Sequence, residues 1–475
     1  MSDRFDLIVR NIRLADSPHT SLAIRDGRVA EIGCDRSALG PELDGQRATM
    51  LPGLVDHHLH LLATAAQMQS VDLSGSLTYE AVRDKLHRAV RGLDAGTWLR
   101  ATGYDERAAG LLDAAAIDQW VCDRPVRIQD RTGALWVLNG AGLARIGDAP
   151  YPQGVETSPD GVPTGRIWRC DDWLRSRIGS TPPSLARLGM SLLRYGITGV
   201  TDAGADNGPP QAGILAAAVR SGALPQRLTV MGREDLPAST AYKIGALKLL
   251  YDETDWPDTH IVAARIVEAR RQGRNVAAHC TTAAELVLYL AALEESGGAR
   301  TGDRIEHGSM IPHSMIPDIA RAGLTVVTQP GFVHDRGDRY LAQIPAHEID
   351  DLYRLSSLRD AGVALAAGSD APYASVSPWI GIAAAQNRLT RHGARLGAAE
   401  AISAREALAL YSPGGLKGVA AAPRISVGQN ADLCLVALND SPQTETIVRA
   451  TIIGGNVFEP NPDAAELTCK TSDIQ

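Results

Sequence analysis

Two histidines two residues apart, His58 and His60, could together hold one divalent metal ion. They end the segment LPGLVDHHLH at positions 51–60. Side chains alternate along an extended strand, so His58 and His60 share one face while His57 points to the other. Two imidazoles on one face can chelate a single ion. The pair is equally typical of a polar loop in which histidines cluster by chance, so other ligands must decide.

Three more residues with ligand chemistry stand at the ends of later strand candidates. They are His279, His307 and Asp370, which follow segments 275–278, 304–306 and 366–369. In a (β/α)₈ barrel the carboxyl ends of all strands converge on one face, where active sites lie. Each histidine alone would be interpreted as a hydrogen-bonded core residue. Four histidines and one aspartate at such ends together predict a metal centre.

A sixth candidate, Lys248, stands inside the apolar segment GALKLLY at 245–251. A lysine within a buried strand is costly unless it is paired or neutral. It could extend to solvent, or pair with Asp252 or Glu253 on the next loop. Alternatively, a lowered pKa would let CO₂ add to its amine, and the resulting carbamate would be an anionic oxygen ligand that bridges two metals.

The elements that must position these residues alternate between strands and helices. Connecting segments such as 261–272 and 283–295 are rich in Ala, Leu, Glu and Arg with helical spacing. Eight strands that alternate with helices predict an α/β fold, a (β/α)₈ TIM-type barrel. The strand candidates are 50–54, 199–202, 227–231, 246–250, 275–278, 304–306, 324–328 and 363–367.

The remaining chain predicts two additions to the barrel. Strand-forming segments at both ends, with an Asp26-Gly27 hairpin signal, predict one small β-sandwich from 1–50 plus 423–460. The barrel then covers 51–422. The connection after the first barrel strand is too long for a loop, which predicts an inserted subdomain with its own helices at 61–194. Five of the seven tryptophans lie there, and we interpret it as a lid or pocket wall.

Composition narrows the function. With 47 Lys and Arg against 55 Asp and Glu, the net charge of −8 argues against a nucleic-acid partner. No apolar run is long enough for a membrane span, and the first residues lack a signal-peptide core. Six scattered cysteines form no disulfide framework and favour a reducing cytoplasm. A cytoplasmic enzyme acting on a small molecule is the expectation, with a homodimer as the prior for its assembly.

The ligand set and its surroundings resemble the amidohydrolase superfamily of metal-dependent hydrolases. The similarity is greatest to the branch with a long insertion after the first strand, which includes N-substituted formamide deformylases. The matching segments are PGLVDHHLH at 52–60, EHG at 306–308, GSDAP at 368–372 and GQNADL at 428–433. The resemblance is weakest in the insertion. Such proteins often carry Gly-His before Trp-Val-Asn, whereas this chain reads TGALWVLN at 132–139.

The resemblance implies hydrolysis of an amide, formamide or cyclic amide by metal-activated water. It implies that His58, His60 and Asp370 hold one ion, and that His279 and His307 hold the second. A carboxylated Lys248 would bridge the two. Asp370 would be the general base and would return the proton to the leaving amine. Nitrogen and oxygen ligands favour zinc, with manganese or iron as the alternatives, and two ions per chain are expected.

Two other functions are compatible with the same superfamily. The first is a mononuclear aminohydrolase (a deaminase) that acts on a heterocyclic amine. Such enzymes place a glutamate near the fifth-strand histidine, and Glu285 here is a poor fit by spacing. The second is a non-catalytic binding relative, which usually loses metal ligands; all six are present here.

The remaining candidates concern the substrate. Trp136, Asn139, Gln329 and His334 are candidate substrate contacts, although core packing is the safer interpretation of Trp136. Alternation predicts that Cys280 points away from the histidine face. By the same reasoning Glu306, next to His307, is expected to face a helix or the barrel exterior.

Overall fold

The structure is a computed structural model in which the chain forms two compact units. One unit comprises Met1–Leu61 and Leu185–Gln475, and the other comprises Leu62–Ser184. The residues described are 4–14, 20–35, 37–94, 96–148, 150–179, 182–251, 256–417, 424–437, 446–460 and 467–470.

The first unit contains a parallel sheet in which the strands follow one another in chain order. This sheet is the predicted (β/α)₈ barrel, and its strands are nearly buried throughout because helices cover them. Its strands, the first to the eighth barrel strand, are Leu54–Leu59, Ile197–Asp202, Arg227–Gly232, Lys243–Leu249, Val276–Cys280, Arg304–His307, Thr325–Thr328 and Ala364–Ala367. The α-helices of this unit are Ala186–Arg194, Pro209–Arg220, Thr259–Arg271, Ala283–Glu295, Ile316–Ala322, Gly331–Gln343, Ser356–Asp360, Pro378–Asn387 and Ala404–Ala409. Short 3₁₀ helices cover His313–Met315, Ala346–Asp351 and Ala398–Glu400.

The first barrel strand differs from its predicted position at 50–54. Thr49–Pro52 instead pairs antiparallel with Leu433–Ala437 in a terminal sheet. The chain then continues through Gly53 into Leu54–Leu59. The apolar run at 50–54 is therefore divided between two sheets, and His58 lies within a barrel strand rather than after one.

Both chain ends build the small sandwich that the sequence predicts. One sheet has the order Arg28–Ile32, Leu22–Arg25, Leu7–Arg10, Glu42–Asp44, and its hairpin turns at Asp26 and Gly27, whose φ angles of 51° and 66° suit a tight turn. The other has the order Arg13–Leu14, Thr49–Pro52, Leu433–Ala437, Ile447–Ile453, Asn456–Pro460, Leu467–Lys470. Side chains from both ends, such as Leu22 and Ile452, share one buried core.

The second unit is the insertion, and it contains a sheet in addition to the helices that the sequence predicts. The strand order is Val155–Thr157, Pro163–Trp168, Leu135–Leu138, Val126–Asp130, Leu99–Tyr104, Val71–Asp72. Its helices are Tyr79–Val90, Glu106–Ala109, Ala114–Asp118, Gly140–Ile146 and Asp171–Ile178, and Leu61–Met68 leads into it. The residue boundaries predicted for the domains stay predictions.

None of the helices in the described ranges has the length and apolar character needed to cross a membrane.

The eighth barrel strand meets the first through a close backbone approach. Asp56 Oδ1 accepts hydrogen bonds from the backbone N–H groups of His58, at 3.1 Å, and Ser369, at 3.0 Å. The N–H of Asp370 donates to the carbonyl of His58 at 2.7 Å. A Cβ atom on Gly368 would lie 2.5 Å from the nitrogen of His58, so only glycine fits there. Barrel closure thus brings Asp370 to His58.

We expect Gly368→Ala to destabilise the chain by about 1–3 kcal/mol, because the added methyl group must push the two strand ends apart. The matched control is Gly213→Ala, on the exposed face of helix Pro209–Arg220, where an added Cβ meets nothing within 4 Å. That change should raise stability by up to about 1 kcal/mol through helix propensity. Thermal unfolding of both variants checks the prediction, and equal midpoints would contradict it.

Candidate metal centre

The barrel interior carries a layer of charged and imidazole side chains at its carboxyl end. Strand register explains which residues point inward. Lys248 is opposite Ala277 on the next strand, and His279 is opposite Glu306 on the one after. Residues opposite each other in a parallel sheet face the same side. Ala277 and Met231 belong to a small buried cluster inside the barrel. The side chains that share this face, those of Lys248, His279 and Glu306, therefore also point to the interior.

His58, His60 and Asp370 converge as predicted. Asp370 Oδ1 lies 3.4 Å from His58 Nε2 and 3.2 Å from His60 Nε2. One ligand atom from each residue lies within 4.8 Å of the others. His58 Nε2 and Asp370 Oδ1 are buried and have no hydrogen-bond partner among the described residues. Buried electron-pair donors that face one another need a cation between them, so the three side chains fit a divalent metal.

His307 and His279 extend this cluster. The ring centre of His307 is 4.6 Å from that of His58 and 4.5 Å from that of His279. His307 Nδ1 donates to Gln329 Oε1 at 2.9 Å, which leaves Nε2 of His307 with its lone pair. The backbone of His307 has a φ of 70°, so the strand ends there and its side chain leaves the regular alternation. Four predicted histidines therefore lie together.

Lys248 is buried in the fourth barrel strand, with 4% of its surface exposed. Its Nζ has no hydrogen-bond partner in the described part of the chain. Extension to solvent, one of the alternatives for this lysine, is thereby excluded. Asp252 and Glu253, the other proposed partners, lie outside the described residues. Burial lowers the pKa of Lys248, which favours the neutral amine.

The expectation for Glu306 was wrong. Its side chain is fully buried inside the barrel, where Oε2 accepts a hydrogen bond from His58 Nδ1. Arg304 Nε donates to Glu306 Oε1 at 2.6 Å, and Arg304 Nη2 reaches both Glu306 and the carbonyl of His57. A carboxylate on Nδ1 fixes the proton there and leaves Nε2 of His58 as the ligand atom. Glu306 follows the regular alternation of its strand, because it lies opposite the inward His279. The prediction was wrong because it took His307 as the inward residue of that alternation and so turned Glu306 outward.

The charges in this layer hold one another in place. Burial opposes ionisation of Glu306, but Arg304, Lys248 and His58 outweigh it and keep the pKa of this carboxyl well below its usual value. Burial lowers the pKa of His279 to about 4. The site thus presents ionised carboxylate at Glu306 and neutral imidazole at His279 near neutral pH, and neutral imidazole is the form that binds metals.

Two neighbours of His279 have separate tasks. Cys280 is buried and directly follows the inward His279 within strand Val276–Cys280, so alternation turns its side chain away from the interior, as predicted. Glu285 forms a capping box with Thr282 at the start of helix Ala283–Glu295. Its Oε2 accepts four hydrogen bonds from Thr281 and Thr282, while Oε1 lies 3.9 Å from His279 Nε2. Glu285 is thus nearer to the site than its spacing indicated.

The four predicted substrate contacts lie in both units, two in the barrel unit and two in the insertion. Gln329 is buried beneath His307, and His334 lies on helix Gly331–Gln343, where its Nδ1 is 2.9 Å from Asp335 Oδ1. Trp136 and Asn139 belong to the insertion. Asn139 is fully buried, and backbone groups of Val121, Arg124, Val126 and Gly142 use all the bonding capacity of its amide. That bonding disfavours a substrate contact by Asn139.

Known proteins share both sequence and fold with this chain. The model of the amidohydrolase family matches residues 43–458. N-substituted formamide deformylase of Arthrobacter pascens is 26% identical over 491 residues, which cover 87% of this chain and 89% of that protein. An uncharacterized metal-dependent hydrolase from Pyrococcus horikoshii OT3 has a TM-score of 0.74 at 20% identity, over 92% of this chain and 98% of its own. A similar hydrolase from Pyrococcus furiosus gives 0.72 at 20% identity, over 92% and 100%.

We expect Glu306→Gln to weaken the binding of a divalent metal, with Zn²⁺ as the probe, by about 10–100-fold, because the amide no longer fixes His58 or balances Arg304. Zinc affinity is measured by competition with a chromophoric chelator. Glu294→Gln, on the exposed surface of helix Ala283–Glu295, is the matched control and should bind zinc as the parent chain does. Unchanged affinity in Glu306→Gln, with the fold intact, would refute the role of this carboxylate.

Proposed function

The chain belongs to the amidohydrolase family and is a hydrolase of carbon–nitrogen bonds, and from that premise we propose that it hydrolyses an amide, formamide or cyclic amide of a small molecule. One observation carries this proposal. His58 Nε2, His60 Nε2 and Asp370 Oδ1 converge, and two of these atoms are buried without a hydrogen-bond partner among the described residues. Similarity over most of the length of a formamide deformylase supports the choice of bond.

His58, His60 and Asp370 would hold the first metal ion, and His279 and His307 would hold a second. Imidazole nitrogen and carboxylate oxygen favour zinc, and each imidazole must be neutral to bind. The hydrogen bonds from His58 Nδ1 to Glu306 and from His307 Nδ1 to Gln329 support this assignment, since they leave both Nε2 atoms with their lone pairs. Gln329 then acts on the site by orienting His307 rather than by touching substrate.

When bound, the metal polarises the carbonyl of the substrate and lowers the pKa of water toward about 7. Asp370 accepts the proton of the attacking water, whose oxygen bonds to the carbonyl carbon. As the C–N bond breaks, Asp370 returns this proton to the leaving nitrogen, so the products are an amine and a carboxylic acid, which then loses its proton to solvent. The pKa of Asp370 bears on this role: burial would raise it, but the adjacent imidazoles of His58 and His60 hold it well below its usual value, so the carboxyl group is ionised and has a free site for a proton.

Lys248 would bridge the two metals as a carbamate. Its neutral amine attacks CO₂, a C–N bond forms, one proton is released, and the product carries an anionic oxygen pair. Burial without a partner supports this step, because a buried ammonium would be unstable while a ligated anion would not.

The side chains at the open end of the site indicate how a substrate would be held. The ring of Tyr373 is perpendicular to that of His60, with 6.0 Å between centres, and 59% of Tyr373 is exposed. Its backbone is fixed because its N–H donates to Asp370 and its carbonyl accepts from Arg336. Tyr373 is proposed as an apolar wall for the substrate, alongside His334.

The second candidate function is a mononuclear deaminase. Glu285 Oε1, 3.9 Å from His279 Nε2, favours it, because deaminases of this superfamily use a glutamate near that histidine. Against it, Glu285 is already engaged as a helix cap, and Lys248 has no task in a mononuclear site. The third alternative, a non-catalytic relative, is disfavoured since every predicted ligand lies in the barrel interior or at its rim. The cytoplasmic location and the homodimer stay predictions.

Asp370→Asn should lower kcat by about 10²–10⁴-fold, because the amide cannot accept the proton of water. The assay measures formate release from an N-alkyl formamide, with metal content determined on the same sample. Metal at the His58 and His60 pair should largely remain. Asp318→Asn, an exposed carboxylate paired with Arg321, is the control and should keep full activity. Retained turnover in Asp370→Asn would refute the base assignment.

Lys248→Met should reduce bound zinc from about two ions per chain to about one, since the bridging ligand is lost. Zinc is counted by elemental analysis, and ¹³C NMR after growth with ¹³C-bicarbonate should show a carbamate signal in the parent that this variant lacks. Lys417→Met, at an exposed position, should preserve both. One ion in the parent and no carbamate signal would favour the deaminase.

A further inference from the structure

Two arginines lie side by side on the sheet of the insertion. Arg100 belongs to strand Leu99–Tyr104 and Arg127 to the parallel strand Val126–Asp130. The register pairs them directly, so both side chains project from the same face of the sheet. Like charges placed opposite each other destabilise a sheet. The repulsion between Arg100 and Arg127 must therefore be compensated by other contacts or by a ligand.

Both guanidinium groups lie against the same aromatic ring. The Cζ atoms of Arg100 and Arg127 are 5.3 and 5.4 Å from the ring centre of Trp136. Arg127 is also 5.8 Å from the ring centre of Trp98. Trp136 is fixed in turn, because its Nε1–H donates to Asp171 Oδ1 at 2.8 Å. The two cations are thus held on a rigid aromatic surface.

The two arginines differ in their hydrogen bonds. Arg100 Nη1 donates to the carbonyl of Ala66, at 2.8 Å, and to Ser70 Oγ, at 2.5 Å. Arg127 Nε is buried without a hydrogen-bond partner among the described residues. Within the same ranges, no carboxylate oxygen lies within 4 Å of either guanidinium, whereas Arg166 on the same sheet pairs with Glu106 at 2.6 Å. The insertion therefore balances Arg166 but not Arg100 and Arg127.

The environment penalises this arrangement. Burial lowers the pKa of Arg127, and burial together with the charge of Arg127 lowers that of Arg100 to about 10. Asp171 opposes this effect on Arg100 only in part. A cation–π contact uses the flat face of a guanidinium and leaves its N–H edges available, and those edges match a planar oxyanion with two parallel hydrogen bonds.

We propose that Arg100 and Arg127 form a binding site for the oxyanion group of a small molecule, a carboxylate or a phosphate, with Trp136 and Trp98 as its apolar floor. The anion would neutralise two half-buried like charges. It would also accept a hydrogen bond from Arg127 Nε, which has no partner among the described residues. The site belongs to the insertion alone, and the proposal does not depend on the chemistry of the barrel.

The probes are sodium benzoate and inorganic phosphate, each compared with sodium chloride at matched ionic strength on the full chain. Thermal unfolding measures stabilisation of the insertion by ligand, and isothermal titration calorimetry measures affinity. We expect one or both oxyanions to raise the midpoint in a saturable manner, whereas chloride does not. Binding of benzoate alone assigns a carboxylate, and binding of phosphate alone assigns a phosphate.

Arg127→Met keeps the apolar stem against Trp136 and removes the charge. It should bind the effective probe about tenfold more weakly or not at all. Its own midpoint without ligand should equal or exceed that of the parent, since repulsion on Arg100 is relieved. A purely structural cation–π role predicts the opposite, a lower midpoint. Arg127→Lys, which retains charge without the planar edge, gives a folded intermediate case if the methionine variant fails to fold.

Arg83→Met is the matched control within the same unit. Arg83 lies on helix Tyr79–Val90 with 40% of its side chain exposed, and it pairs with Asp84 at 2.9 Å. This variant should bind the probe with the affinity of the parent. The proposal is overturned if neither oxyanion binds the parent chain, or if Arg127→Met and Arg83→Met bind the effective probe equally well.

Discussion

The arrangement of the barrel interior depends on buried Glu306, which is hydrogen-bonded to both Arg304 and His58. An ionised carboxylate with no solvent contact is costly, and Arg304 and His58 Nδ1 together compensate it. The same contact decides which nitrogen of His58 carries the proton. Nε2 is consequently directed at Asp370, so a stability requirement of the core and the orientation of a ligand are one constraint.

Barrel closure depends on a second buried carboxyl group, that of Asp56. Asp56 Oδ1 is shared between the N–H groups of His58 and Ser369, which come from the two strands that must meet. Gly368 permits the approach, and the φ of 53° at Asp370 turns its side chain back toward the histidines. The segments PGLVDHHLH and GSDAP are therefore two halves of one structural joint, which explains why ligands and closure residues are adjacent in sequence.

Sequence patterns predicted those parts of the fold that depend on local periodicity. Alternation placed His58 and His60 together and Cys280 outward, and the strand ends located His279, His307 and Asp370. Alternation failed where the backbone departs from it: the positive φ of His307 made Glu306 and His307 both available to the interior. The pairing of Glu306 with His58, 248 residues apart, has no local signature. Nor did tryptophan content reveal the insertion's sheet, whose strands are short and separated by polar turns.

Each unit contains buried polar groups that its own described residues do not compensate, electron-pair donors in the barrel and cations in the insertion. In the barrel, Arg304 compensates the charge of Glu306, yet His58 Nε2 and Asp370 Oδ1 remain as donors of electron pairs that face each other. Such a surplus selects a cation. In the insertion, Arg100 and Arg127 stand together beside Trp136 without an ion-pair partner among the described residues. That surplus selects an anion. Since buried charge is tolerated only when it is compensated, an excess of either sign in a rigid setting identifies the charge of the ligand before its identity is known.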